Sequence, residues 1–109
     1  MPFYNPEKRP SKHIIPNEIA MKTFWGENVM LAVVDLQAGA VLPLHSHPHE
    51  QAGMVMEGEL EFDLNGEVQH LGPGDIYIIP GNMPHLVKVG SKPAKVLDIF
   101  SPVREEYKY

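Results

Sequence analysis

The amino-acid sequence predicts an all-β chain folded as one small sandwich or barrel, and three observations carry that prediction. Short apolar segments, alternating or β-branched, recur along the chain, glycine- and proline-bearing turns separate them, and no stretch shows a convincing helical pattern. At 109 residues there is material for one domain, since two halves would each be too small for a core.

The first sixteen residues carry Pro2, Pro6, Pro10 and Pro16 and read as an extended arm. From about Ile19 the strands begin: Ile19 to Trp25, then Val29 to Leu36 after the turn at Gly26-Glu27-Asn28. Val41 to His47 is strand-like despite Pro43, and Gln51 to Met56 follows. Glu59 to Leu64 alternates strictly, with Leu60, Phe62 and Leu64 on one face, as in a strand with its other side in water. Asn65-Gly66 is a type I′ hairpin signal, because both residues tolerate positive φ. Glu67 to Leu71, Asp75 to Ile79, His85 to Val89 and Ala94 to Phe100 complete a series of about eight regularly spaced strands. The expected organisation is an arm over 1–18, a barrel over 19–104 and a polar tail over 105–109.

Composition excludes several classes of function. A net charge of −5 offers no basic patch for phosphates, so no nucleic-acid partner is expected. Without cysteine there are neither disulfides nor thiolate ligands, and any metal must be held by His, carboxylate or amide groups. No apolar run approaches the roughly 18 residues needed to cross a bilayer, and the first residues lack a signal-peptide pattern. The expectation is a cytoplasmic protein without a membrane partner.

His45 and His47 are two apart and follow an apolar run, so on a strand both would face inward. Two imidazoles on one face can share a metal ion at about 2.0–2.1 Å each. Asp98 is an acid in the middle of the apolar strand Val96-Leu97-Asp98-Ile99-Phe100, on the face of Val96 and Phe100. Burying a carboxylate is costly without a partner, so the position invites either a structural or a chemical reason.

The wider spacing resembles that of the cupins. Gly39, five residues, His45, one residue, His47, three residues, Gln51, six residues and Gly58 match their first motif, with Gln51 where most members carry Glu. Gly74, five residues, Pro80 and then His85 match the second, with Asn82 and Val89 departing from it. The resemblance implies a single-domain RmlC-like jelly-roll barrel and one divalent transition metal (Ni, Mn, Fe, Co or Zn) on His45, His47, Gln51 and His85. Glu50 is one residue off the motif and would point the other way, while His49, beyond Pro48, is expected near the barrel mouth facing substrate. An amide in place of a carboxylate leaves the ion's charge uncompensated, which favours anionic ligands.

A narrower resemblance lies in three segments: 45–51 (HSHPHEQ), 79–85 (IPGNMPH) and 97–106 (LDIFSPVREE). These look like the pectin-degradation cupins of the KdgF family, which open 4,5-unsaturated uronates to linear keto acids. That resemblance implies catalytic roles for Asp98 and Arg104, a substrate contact at Phe100, a small anionic sugar as substrate, and a homodimer. Two other readings remain open on the sequence: an iron-dependent dioxygenase, and a non-catalytic metal-bound module for a sugar or effector.

Overall fold

The computed structural model describes residues 3–109. Among these residues, ten strands form two antiparallel sheets that face each other across one core. The larger sheet has the order β1 (Lys12–Ile15), β2 (Ile19–Trp25), β3 (Met30–Leu36), β10 (Ala94–Ser101), β5 (Glu50–Glu57), β8 (Ile76–Ile79). The smaller is β4 (Val41–His45), β9 (His85–Val89), β6 (Leu60–Leu64), β7 (Glu67–Leu71). This is the all-β sandwich expected from the pattern, and the jelly roll that the resemblance implied. The only helical turns among the described residues are short 3-10 pieces at Pro6–Lys8 and Glu105–Tyr107. Among the described residues no helix is long and apolar enough to cross a membrane.

The arm carries the 3-10 turn Pro6–Lys8 and then joins the larger sheet. Residues 12–15 pair with β2 as an edge strand, so the sheet begins before Ile19; Pro10 and Pro16 bracket this strand instead of abolishing it. Met1 and Pro2 of the expected arm lie outside the described residues. The Asn65-Gly66 turn has φ of 51° and 92°, both positive as type I′ requires.

Register decides what the core and the site contain. Inward positions of the larger sheet line up in rows: Ile19, Leu36 and Ala94; Met21, Val34, Val96 and Val55; then Thr23, Ala32, Asp98, Gly53 and Tyr77. The first two rows are apolar and buried. The third is polar, with small residues between its polar ones, and beside it Met30, Phe100, Gln51 and Ile79 form the last row. In the smaller sheet, Leu64, His85 and His45 share the row at the same end of the sandwich. The fold therefore gathers its inward polar groups at one end, above a dry core.

Candidate metal centre

The ladder between β4 and β9 is irregular between Leu42 and His45, around Pro43, which has no N–H to donate. Past this bulge His45 stands directly opposite His85. β4 stops at His45, so His47 is not on a strand as expected. It turns inward from the bend that follows, whose carbonyl at His47 accepts from Asn82 N–H at 2.7 Å. Gly81 allows that approach, because a Cβ there would collide with the carbonyl oxygen of Pro48. The three rings meet with centroids 4.2 to 5.7 Å apart, and their ligand nitrogens all lie within 4.8 Å of one another. His47 and His85 are buried and His45 half-buried.

Each ring is held in one tautomer by the chain beside it. His45 Nδ1 donates to Pro43 O at 2.8 Å, His47 Nδ1 to His49 O at 3.0 Å, and His85 Nδ1 to Met83 O at 2.9 Å. With the proton on Nδ1, every Nε2 presents a lone pair. His85 Nε2 is buried with no hydrogen-bond partner. Gln51 Oε1, another acceptor, lies 3.0 Å from His47 Nε2. Two facing lone pairs repel unless a cation sits between them. Two ligands about 2.1 Å from one ion at a right angle would be about 3.0 Å apart, which is the separation here. The donor set fits a transition metal on the three histidines. Burial lowers the His85 pKa to about 4 and, with Arg104 nearby, lowers that of His47, so both stay neutral and ready to ligate at pH 7.

Asp98 lies beside this cluster, buried, on the strand next to Gln51. Burial pushes its carboxyl up to about 6, against the opposing pull of hydrogen bonds from Tyr77 and Gln51 and of the Arg104 charge. Tyr77 donates its phenol proton to Asp98 Oδ1 at 2.5 Å. Gly53 is the cross-strand neighbour of both residues, and any Cβ on it would overlap the Tyr77 ring. The missing side chain is what lets the phenol cross one strand to reach the acid.

Residues 32–100 match a family model described as the cupin domain. The chain belongs to the cupin family. The pectin degradation protein KdgF of Dickeya dadantii is 31% identical over 84 residues, 76% of either chain. The dimethylsulfoniopropionate lyase DddQ of Ruegeria pomeroyi is 33% identical over 75 residues, 68% of this cupin but only 37% of that protein. Among solved structures, KdgF from Halomonas sp. superposes with a TM-score of 0.90 at 30% identity, with 97% of each chain covered.

In this cupin a cavity of about 50 Å³ opens between the sheets, with His45, His85, Gln51, Asp98, Phe100 and Arg104 at its polar end. Arg104 is buried, its guanidinium 4.0 Å from the Tyr107 ring centroid and 5.0 Å from that of Phe100. Phe100 packs edge-on to His47. The structure thus brings the eight expected site residues to one end of the barrel. His49 is at the margin of the group: like His47 it does not line the cavity, but its ring centroid is 5.7 Å from that of His47, and its carbonyl anchors the His47 ring. Glu50 is exposed, as its offset implied. The residue that sequence reasoning missed is Tyr77, an aromatic at an ordinary inward strand position.

Proposed function

We propose that this cupin opens the ring of a 4,5-unsaturated uronate to a linear keto acid. The observation that carries the reading is a buried acid with a raised pKa, held by Tyr77 and Gln51 at the edge of a three-histidine centre. The likeness to the KdgF proteins supports it. A divalent transition ion on His45, His47, His85 and Gln51 would act as a Lewis acid towards the substrate's carboxylate and conjugated enol ether.

The protein's own groups do the rest. Asp98, mostly ionised at pH 7, takes the proton of the anomeric hydroxyl. The bond from the anomeric carbon to the ring oxygen breaks, leaving an aldehyde at one end and an enolate at the other. Asp98 then delivers that same proton to the alkene carbon remote from the carboxylate, and the enolate oxygen becomes the ketone carbonyl. No atom is gained or lost. Tyr77 keeps Oδ1 of Asp98 occupied, so the mobile proton is carried on Oδ2. Arg104 pairs with the substrate carboxylate, for which a planar guanidinium is suited, and Phe100 covers a face of the sugar.

The reaction removes the conjugated double bond, so ultraviolet absorbance must fall. Metal-loaded protein mixed with unsaturated galacturonate should show that fall, and Asp98→Asn should slow it by about 10²–10⁴-fold. An unchanged absorbance with the wild type, or full activity in the variant, would overturn the reading.

We also infer that two copies pair through the outer face of the larger sheet. Leu31, Ile99 and Ile78 lie in one outward row across it, and Met54 and Ile76 in the next, all exposed. The edge strand β8 ends this patch with two exposed isoleucines, a liability unless covered. Sedimentation should give a dimer for the wild type and a monomer for Ile78→Lys.

A further inference from the structure

Arg104 is poorly fixed by its own hydrogen bonds. Its one ionic partner is Glu106, more than half exposed, at 3.2 Å, and its Nε is buried with no partner. What holds the guanidinium is the face of Tyr107, 4.0 Å away. Tyr107 lies after β10, in the turn Glu105–Tyr107, outside both sheets and their ladders. Its N–H donates to Arg104 O at 3.0 Å within the turn and its ring meets Phe100 edge-on; the turn as a whole is tied down from elsewhere in the chain.

Thr23 of β2 is fully buried, at 0% exposure, and its hydroxyl donates to the carbonyl of Tyr107 at 2.8 Å. A buried hydroxyl needs such a partner, and this bond ties the turn to the sheet. Two residues further on, Arg9 Nη2 donates to the carbonyl of Tyr109 at 2.7 Å, and its guanidinium lies 4.0 Å from the Tyr109 ring centroid. The Tyr109 hydroxyl returns a bond to Pro10 O at 2.6 Å. Arg9 also sits 5.6 and 5.5 Å from the rings of Phe24 and Trp25. The segment that presents Arg104 is therefore clasped at both Tyr107 and Tyr109, by residues that line no part of the cavity.

We propose that Arg9 and Thr23 are positioning residues for Arg104, acting through the clasp on Tyr109 and Tyr107. The clasp joins segments about a hundred positions apart, so the N-terminal segment helps to shape the mouth of the pocket. The inference rests on the reading that Arg104 meets the ligand's carboxylate. A contact of that kind is made equally before and during reaction, so loosening it should raise KM and leave kcat alone.

Arg9→Met keeps a long apolar side chain among the rings without the donor or the charge; Thr23→Val keeps shape without the hydroxyl; Thr23→Ser restores it. The first readout needs no substrate: the Nε–H correlation of Arg104 in nuclear magnetic resonance spectra of the metal-loaded full chain, assigned by its loss in Arg104→Lys. It should be sharp in the wild type and Thr23→Ser, and broadened or averaged in Arg9→Met and Thr23→Val. The second is kinetic: both loosened variants should raise KM about tenfold, with kcat within twofold and metal content unchanged. An Arg104 signal identical in all four proteins overturns the clasp, as does a broadened signal with unaltered KM. If the wild type turns over no uronate, the reaction reading fails; the signal still judges the clasp, and the dissociation constant of galacturonate by calorimetry replaces KM, an unaltered value counting against it. Should Arg9→Met not fold, the Thr23→Val and Thr23→Ser pair decides.

Discussion

The phenol of Tyr77 reaches across Gly53 and donates to Oδ1 of Asp98 at 2.5 Å, tying β8 to β10 over the intervening β5. Burial raises the Tyr77 pKa far above its usual value, so the phenol remains a donor at any pH the fold survives. Tyr77→Phe should keep the ring packed against Phe62 and lose only this bond. A stability loss of about 1–3 kcal/mol is expected, because the buried acid loses one of its two hydrogen-bond partners. The bond also favours the ionised carboxyl, so its loss should carry the acidic limb of the pH–rate profile upward. Chemical denaturation and the profile together check both halves.

Gly53→Ala should be worse than its one methyl suggests. The Cβ would take the space of the Tyr77 ring, so the phenol must swing off Asp98. Activity should fall at least as far as in Tyr77→Phe, while Tyr77→Phe added to Gly53→Ala should cost little more. A double-mutant cycle reads that non-additivity. Independent, additive losses would show that Gly53 matters for some other reason.

Gln51→Glu separates metal binding from chemistry. The amide faces His47 with its oxygen and supports the ionised form of Asp98 as a hydrogen-bond partner. A carboxylate would cancel one charge of the ion and tighten its binding, but would set two acids side by side. Chelator competition should show stronger retention of the metal. Turnover at pH 7 should drop, with the acidic limb displaced upward.

Two buried groups tilt the metal-free protein in opposite directions. The Asp98 carboxyl rises from 3.8 to about 6, so the stability tied to its neutral form is complete below pH 3.8 and lost as the pH passes 6, roughly 3 kcal/mol in all. His85 falls from 6.5 to about 4, so its contribution is complete above pH 6.5 and lost as the pH drops through 4. Between pH 4 and 6.5 the two slopes oppose each other, with the lowered His47 adding to that of His85. Asp98→Asn should therefore gain stability with rising pH more steeply than the wild type, and His85→Gln should lose stability relative to the wild type over the same window. Denaturant midpoints at pH 4.0, 5.25 and 6.5, chosen to span about that range, measure each slope.

Most strands were legible in the sequence because alternation and turn residues agree there. Ile19–Trp25, Glu67–Leu71 and His85–Val89 have the boundaries their patterns imply. β1 was hidden because prolines on both sides mask four residues whose pairing is with an edge. The metal-centre candidates were visible through spacing, and Asp98 through its charge in an apolar run. Tyr77 was not, since an inward tyrosine on a strand reads as core, and only the register of three strands across Gly53 shows what it touches. The same is true of Arg9 and Thr23, whose partners lie some 84 to 100 residues away.

The three imidazole protons are claimed by carbonyls two residues from their own rings. Ring orientation is thus settled by short-range chain geometry before any ion arrives. An ion would then load or leave without the rings having to be rebuilt, and its binding would add to the stability of the folded chain. Stripped protein should accept one metal after another without passing through an unfolded state.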